Sequence, residues 1–199
     1  MTRLRENIGE VRVKAARFAL PAPIARLFDR LEHDRHNLFS AAANAVQVLV
    51  RGHLAKESQK RHTTADSLGA PHTGHLEKGA RATYFEADAN HGQVVIPVPG
   101  INRAFGPVTI TPSTASALTI PISKYAYGHR ASEMEAAYGW KLFAKKGILF
   151  GKRDDELEPL YVLKKRVEQT QDRSLLPSDK DITMTASKAI INWIGRSAA

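Results

Sequence analysis

The stretch that decides the fold runs from Gly92 to Arg130 and reads GQVVIPVPGINRAFGPVTITPSTASALTIPISKYAYGHR. It contains three runs rich in β-branched residues, each bounded by Pro, Gly or Ser: Val94–Ile96, Val108–Ile110 and Leu118–Ile122. Such runs between turn residues predict short β-strands. Because proline cannot donate to a β-ladder, the neighbouring prolines place the ends of these strands at sheet edges, namely Pro97, Pro99, Pro107, Pro112 and Pro121.

Further strands are predicted on both sides of this stretch. Ala80–Ala87 and Gln93–Val98 form a predicted hairpin around the turn residues Asn90-His91-Gly92. Nearer the C-terminus, three more short segments have extended character, namely Trp140–Phe143, Gly147–Phe150 and Leu160–Leu163. Four antiparallel strands are the minimum sheet that this pattern supports.

Helical patterns flank the strands. From Ile24 to Leu54 apolar residues recur at a spacing near 3.6, with a polar interruption at Glu32–Asn37. The part from Leu38 onward is apolar nearly all round, which is typical of a helix covered on several sides, some of them by neighbouring subunits. At the C-terminus, Ser178 is a predicted N-cap for a helix with one apolar face, formed by Ile182, Ala186, Ala189, Ile190, Trp193 and Ile194.

We therefore expect an α+β fold: a small antiparallel β-sheet of about four to six strands, flanked by a long N-terminal helix and a C-terminal helix. Residues 1–20 are expected to form an N-terminal arm, and residues 21–199 a single domain. The segment at about 56–79 is polar and rich in Gly, Ser and Thr, which predicts a long loop.

Composition limits the function. The chain has 199 residues, no cysteine and a formal net charge of +9. Disulfides and thiolate metal sites are excluded, and no apolar run approaches the ~20 residues that cross a bilayer, so no membrane partner is expected. The positive charge predicts attraction to polyanions. Since no aromatic residues are interleaved with the basic ones, non-specific contact with DNA is favoured over sequence-specific recognition.

No motif predicts catalysis. The Gly-x-Ser-x-Gly nucleophile elbow and the Gly-Lys-Ser/Thr phosphate loop are both absent. His62, His72 and His75 lie within the predicted loop, but their spacing matches no known zinc motif, so solvated side chains are favoured over a metal site. The acidic run Asp154–Glu156 lies in a charged turn where each carboxylate stays solvated. We expect no enzyme activity, no metal and no cofactor.

Two groups of residues are candidates for function. Tyr125, Tyr127, His129 and Arg130 combine aromatic, imidazole and guanidinium groups, and they favour a subunit interface over an active site, since interfaces are enriched in Tyr and Arg. Basic residues further along the chain are candidate contacts for a DNA channel or a partner protein: Lys145, Lys146, Lys152 and Arg153.

Several of these segments together resemble a known family. The segments, in order, are Pro99–Ile101, Phe105–Gly106, Thr109–Pro112, Ala117–Ile122, Tyr127–Glu133, Leu160–Lys165 and Leu176–Ser178. Their order and spacing resemble the virion morphogenesis proteins of tailed bacteriophages, the tail-completion and head–tail joining group. The resemblance covers roughly residues 80 to 195.

This resemblance implies a structural protein of the virion neck, either a tail-completion (terminator) ring or a head–tail connector. Such proteins form homo-oligomeric rings of about six or twelve subunits around the DNA channel. The implied partners are other copies of the chain, neighbouring neck, connector or tail-tube proteins, and genomic DNA that passes non-specifically. The implied location is the virion, with assembly in the cytoplasm of the bacterial host, and the family supplies no catalytic residues.

Two alternatives stay open at this point. One is a basic nucleic-acid-binding protein that acts alone, which predicts binding to free DNA with a steep salt dependence. The other is a hydrolase built on the histidine-rich segment or on the cluster from Tyr125 to Arg130. It predicts metal-dependent activity, or a sharp loss of activity on changing His129 to Ala with the fold intact.

Overall fold

A computed structural model describes residues 22–198, so the expected arm over residues 1–20 lies outside the described part of the chain. The helices are α1 (Ala22–His33), α2 (Arg35–Ser58), α3 (Thr63–Leu68), α4 (His75–Ala82), α5 (Ala131–Tyr138) and α6 (Asp179–Ala198), with 3₁₀ helices at Ile101–Ala104 and Arg173–Leu175. The strands are β1 (Tyr84–Ala87), β2 (Gly92–Val95), β3 (Val108–Ile110), β4 (Leu118–Pro121), β5 (Lys141–Lys145), β6 (Ile148–Arg153), β7 (Glu156–Lys164) and β8 (Val167–Gln169).

All strand pairs are antiparallel, and the predicted α+β fold with a long N-terminal helix and a C-terminal helix is confirmed. The largest sheet has four strands in the order β4-β7-β6-β5. Two smaller sheets pair β1 with β2 and β3 with β8. Within residues 22–198, no helix is both long enough and apolar enough to cross a bilayer.

The strands of the opening stretch do not share one sheet. Among residues 22–198, β2 pairs only with β1, β3 pairs with β8 some sixty residues later in sequence, and only β4 of the three joins the four-stranded sheet. Pro97 follows β2 and Pro112 follows β3. Proline has no N–H to donate to a ladder. Each of these short strands therefore ends near its proline and does not pair with the next strand along the chain.

α2 lies at the centre of a mostly helical part of the structure. This helix packs against α6, α4, β1 and β2, and its buried side chains Val50 and Leu54 form a core with Ala80 and Ile101. One side of α2 stays open, since Val48 is 63% exposed. α1 and α2 are separate helices, and Asp34, within the polar interruption of the sequence, lies between them.

The C-terminal helix starts as the sequence predicts. The backbone N–H of Asp181 donates to Ser178 Oγ at 3.1 Å, which satisfies one amide of the first turn. The predicted apolar face of α6 is half-buried throughout, and this face covers α2 and α1.

The prediction of a long loop at about 56–79 is wrong. α2 extends to Ser58, and α3 and the first part of α4 occupy most of the remainder. Gly69 ends α3 in the left-handed conformation, at φ 62°, and Ala65 and Ala80 are buried. Short polar helices of this kind are stabilised by contacts with other parts of the chain, so their own composition does not predict them.

A second core lies between α5 and the four-stranded sheet. It contains Trp140, Tyr161, Met134, Leu160 and Ala126, each at most 1% exposed. Leu160 and Tyr161 are both buried because a bulge in β7 leaves Leu160 without a partner on β6. We call the side of the sheet that packs on α5 the inner face.

Candidate functional site

The segment from Tyr125 to Arg130 links β4 to α5 and lies beside the second core. The Tyr125 ring is half-buried, with its centroid 5.6 Å from that of Trp140. Lys124 Nζ lies 5.0 Å from the centroid of the same ring. Tyr125 therefore packs mainly within its own subunit.

His129 is held through both its side chain and its backbone. Its Nδ1 is 3.1 Å from the hydroxyl of Tyr138, and the two ring centroids are 4.6 Å apart. Its carbonyl accepts a hydrogen bond of 3.2 Å from the Tyr161 hydroxyl. Burial of that hydroxyl, with the nearby negative charge of Glu133, raises the pKa of Tyr161 to about 12. These contacts fix the turn that leads into α5.

Arg130 lies at the start of α5. Its backbone N–H donates to Glu133 Oε2 at 3.1 Å, which satisfies an amide at the helix N-terminus. The Arg130 side chain is exposed, and Tyr127 is half-buried. The structure thus brings the four predicted residues into one turn, where Tyr125 and His129 make internal contacts. Their role in a subunit interface stays a prediction.

The four candidate basic residues do not form one cluster. Lys145 and Lys146 lie at the β5–β6 turn, where Lys146 and Gly147 both have positive φ, at 52° and 77°. Lys152 and Arg153 lie at the opposite end of β6. Because Lys145 is opposite Ile148, Lys152 is four residues away along β6, or roughly 13 Å at ~3.3 Å per residue.

Arg153 has structural partners of its own. Its guanidinium lies 4.5 Å from the centroid of the Trp140 ring and 5.9 Å from that of Tyr125, and it donates to Glu156 at 3.1 Å. Stacking on an aromatic face is a typical role for arginine. This side chain therefore covers the second core, which makes it a poorer DNA contact than the lysines.

Other lysines complete the cluster that Lys145 and Lys146 begin. The end of β7 lies beside the β5–β6 turn, since the backbone N–H of Leu163 donates to the Gly147 carbonyl at 2.8 Å. This brings the exposed lysines at and just after the end of β7 to the same end of the sheet. We call this cluster the basic end; it consists of Lys145, Lys146, Lys164 and Lys165.

Sequence reasoning missed an uncovered apolar surface on the side of the sheet opposite the inner face. We call this surface the outer face. Its apolar members follow from the strand registers and are Leu118, Ile120, Phe143, Ile148, Phe150, Leu157, Pro159 and Val162. Phe143 and Phe150 are a cross-strand pair whose ring centroids are 5.7 Å apart. Leu157 is 58% exposed, Phe143 43% and Ile120 37%.

A signal for this surface exists in the sequence. In β5 and β6 apolar residues occupy both sets of alternating positions, with Leu142 and Leu149 on the inner face and Phe143 and Phe150 on the outer face. A sheet with one solvated face alternates between apolar and polar residues. Apolar residues on both faces indicate that the outer face, which is exposed in the isolated chain, packs against a further surface.

The outer face carries only positive charge. Lys141, Lys145, Lys152 and Lys164 share its orientation in the register. Lys141 and Lys152 are directly opposite each other across β5 and β6, a pairing of like charges that costs stability. Within residues 22–198, these four lysines form no salt bridge.

The histidines of the misread loop have ordered partners. The His62 and His72 rings stack with centroids 3.5 Å apart, and His72 Nε2 lies 2.9 Å from Asp66 Oδ1. His75 contacts the Pro99 carbonyl at 2.9 Å. Among the described residues, no group of three or more His, Asp or Glu side chains is placed to hold a metal ion.

A groove of about 710 Å³ lies between α2, β2 and the start of α6. Its lining is mainly aliphatic and includes Val46, Val94 and Ile182, with Phe105 at its side. The polar side chains there have partners nearby, since Ser178 Oγ contacts Asp181 at 2.7 Å and Arg173 pairs with Asp179 at 3.9 Å. Such a lining suits packing against another apolar surface more than chemistry.

Comparisons with known proteins found no matching family model, no matching curated protein and no matching solved structure.

Proposed function

We propose that this chain is a structural protein of the neck of a tailed bacteriophage, where it forms a homo-oligomeric ring around the DNA channel. The proposal covers a tail-completion (terminator) ring and a head–tail joining ring. Its partners are other copies of the chain, neighbouring neck, connector or tail-tube proteins, and DNA that passes non-specifically. The protein belongs to the virion and is assembled in the cytoplasm of the bacterial host.

The observation that carries this proposal is the uncovered outer face. Large apolar surfaces on a folded chain mark contacts with another protein, and a ring subunit needs such contacts on two sides. The resemblance of residues 80 to 195 to phage virion morphogenesis proteins is the reason for proposing the phage neck as the assembly. The lysines of the basic end can contact the phosphates of DNA, and such contacts do not depend on the base sequence.

We propose that the protein is not an enzyme. The residues most suited to catalysis have structural partners: His129 contacts Tyr138, and Tyr125 packs on Trp140. A nucleophile or a general base also needs a perturbed pKa in a concave site. The acidic run Asp154–Glu156 is exposed, which favours solvated carboxylates over such a site.

Light scattering behind a sizing column, combined with negative-stain imaging, tests the proposal. We expect closed rings with a central opening wide enough for duplex DNA. The basic end favours one competing function, a nucleic-acid-binding protein that acts alone. A monomer that binds free duplex DNA tightly at physiological salt would contradict the ring and support that competitor.

A further inference from the structure

The outer face needs a partner that combines apolar surface with negative charge. Its centre is aliphatic and aromatic, and its charged members are the four lysines 141, 145, 152 and 164. Packing these residues against another protein removes apolar area from water, which favours association. The lysines then favour carboxylates opposite them, which also offsets the repulsion between Lys141 and Lys152.

Three occupants fit this chemistry poorly. Residues 1–21 contain five basic and two acidic side chains, so the lysines would repel that segment. A two-fold contact between two outer faces would place lysines against lysines. Nucleic acid would leave the aliphatic centre without a counterpart, and the two aromatic rings available for stacking on bases, Phe143 and Phe150, already stack on each other.

The opposite side of the same sheet offers the complement. α5 covers the inner face through Met134 and presents its other side to solvent. Its sequence, ASEMEAAY, contains two glutamates and no basic residue. Glu135, Ala136 and Ala137 are exposed, and Tyr138 is 42% exposed. The outer face is therefore basic and apolar, whereas the exposed surface of α5 is acidic with small and aromatic residues.

We propose that the outer face of one copy docks onto α5 of a second copy, in a head-to-tail contact. This inference rests on the proposed ring and names the surfaces that close it. A contact between two different surfaces repeats from copy to copy and closes when the rotation between neighbours divides a full turn. Arg130 and Tyr127, at the start of α5, then lie beside the contact.

Leu157→Lys tests the apolar part of this contact. Leu157 is 58% exposed, so a lysine there stays solvated in the free subunit but is buried on docking. We expect the concentration for half-maximal assembly to rise about tenfold or more, measured by light scattering over a dilution series. Ile191→Lys on α6, at a position that is 65% exposed, is the matched control and is expected to assemble like the wild type. Thermal unfolding checks that each variant folds.

Charge reversal tests the pairing itself. Lys152→Glu and Glu135→Lys each place like charges across the proposed contact, and both positions are exposed in the free chain. We expect each single variant to assemble less well. The double variant restores opposite charges, and we expect it to recover at least part of the assembly. A double variant no better than the single ones would overturn α5 as the opposing surface.

The outcomes separate this inference from the proposed function. Rings that form equally well with Leu157→Lys and Lys152→Glu would overturn the inference and leave the neck ring standing. Wild-type protein that stays monomeric at every concentration would overturn the inference, and its affinity for free DNA would then decide the proposed function. Loss of DNA binding in Lys152→Glu, with assembly intact, would assign the outer face to nucleic acid instead.

Discussion

Asp172 connects three segments of the chain through one carboxylate. Its Oδ2 accepts from Arg61 Nη1 at 2.5 Å and lies 3.4 Å from Arg103 Nη2, while its Oδ1 accepts from the Ser174 hydroxyl at 2.6 Å. The hydrogen bonds from Arg61 and Ser174 lower the pKa of Asp172 from 3.8 to about 2. The ionised carboxylate therefore stabilises the fold, because it holds the end of α2 to the segment before α6.

Asp172→Asn should weaken this connection in a pH-dependent way. The pKa of the carboxyl group is lower in the folded state, so its contribution is complete above the unfolded value near 3.8 and is lost as the pH falls through about 2. We expect the variant to lose about 2 kcal/mol of unfolding free energy at neutral pH. Urea unfolding of both proteins between pH 7 and pH 2 measures the difference, which should shrink below pH 4. A difference that stays constant across this range would contradict the role of the charge.

At the scale of elements, the packing of α5 on the sheet depends on a glycine, Gly151, which has no side chain. Gly151 in β6 faces the second core, where a Cβ atom would lie 2.5 Å from Leu160 Cδ1 and 2.7 Å from Trp140 Cε3. The indole of Trp140 is itself in contact with Tyr125 and Arg153. Glycine at this position lets the strand and the indole approach closely.

Gly151→Ala should therefore destabilise the protein. Alanine forces Trp140 or the strand to move, and overpacking of this kind costs about 1–3 kcal/mol. Thermal unfolding followed by tryptophan fluorescence measures the effect. Gly106→Ala is the control, because a Cβ there meets nothing within 4 Å and the backbone needs no positive φ. Equal stability of the two variants would show that the second core accommodates the added methyl group without loss of stability.

The elements that sequence reasoning found are those with a strong local signal. α2, α6 and the β5–β6 hairpin each have a clear period or turn, and the N-cap at Ser178 is a local contact. α3 and β8 have six and three residues, too short for a period to emerge. The pairing of β3 with β8 and the link between Arg61 and Asp172 are long-range contacts, which local patterns do not contain.

The candidate site was predictable only in part, for the same reason. The Tyr125–Arg130 segment stood out because its residues adjoin in sequence. The basic end did not, since it joins the β5–β6 turn to residues at the end of β7 and just after it. The separation of Lys145 and Lys146 from Lys152 and Arg153 follows from the length of β6, which composition alone does not show.

At the scale of the whole molecule, the positive charge makes its own prediction about DNA. A ring that lets DNA pass should hold it weakly, and we expect a Kd above about 1 μM for duplex DNA at physiological salt. The slope of log K against log salt counts the phosphates contacted, at roughly 0.9 for each. Lys146→Asn with Lys165→Ala removes two charges of the basic end that lie off the outer face, so the slope should fall by about two. Lys180→Ala with Lys188→Ala, on α6, is the matched control; a slope that falls equally in both pairs would mean that DNA responds to net charge and not to the basic end.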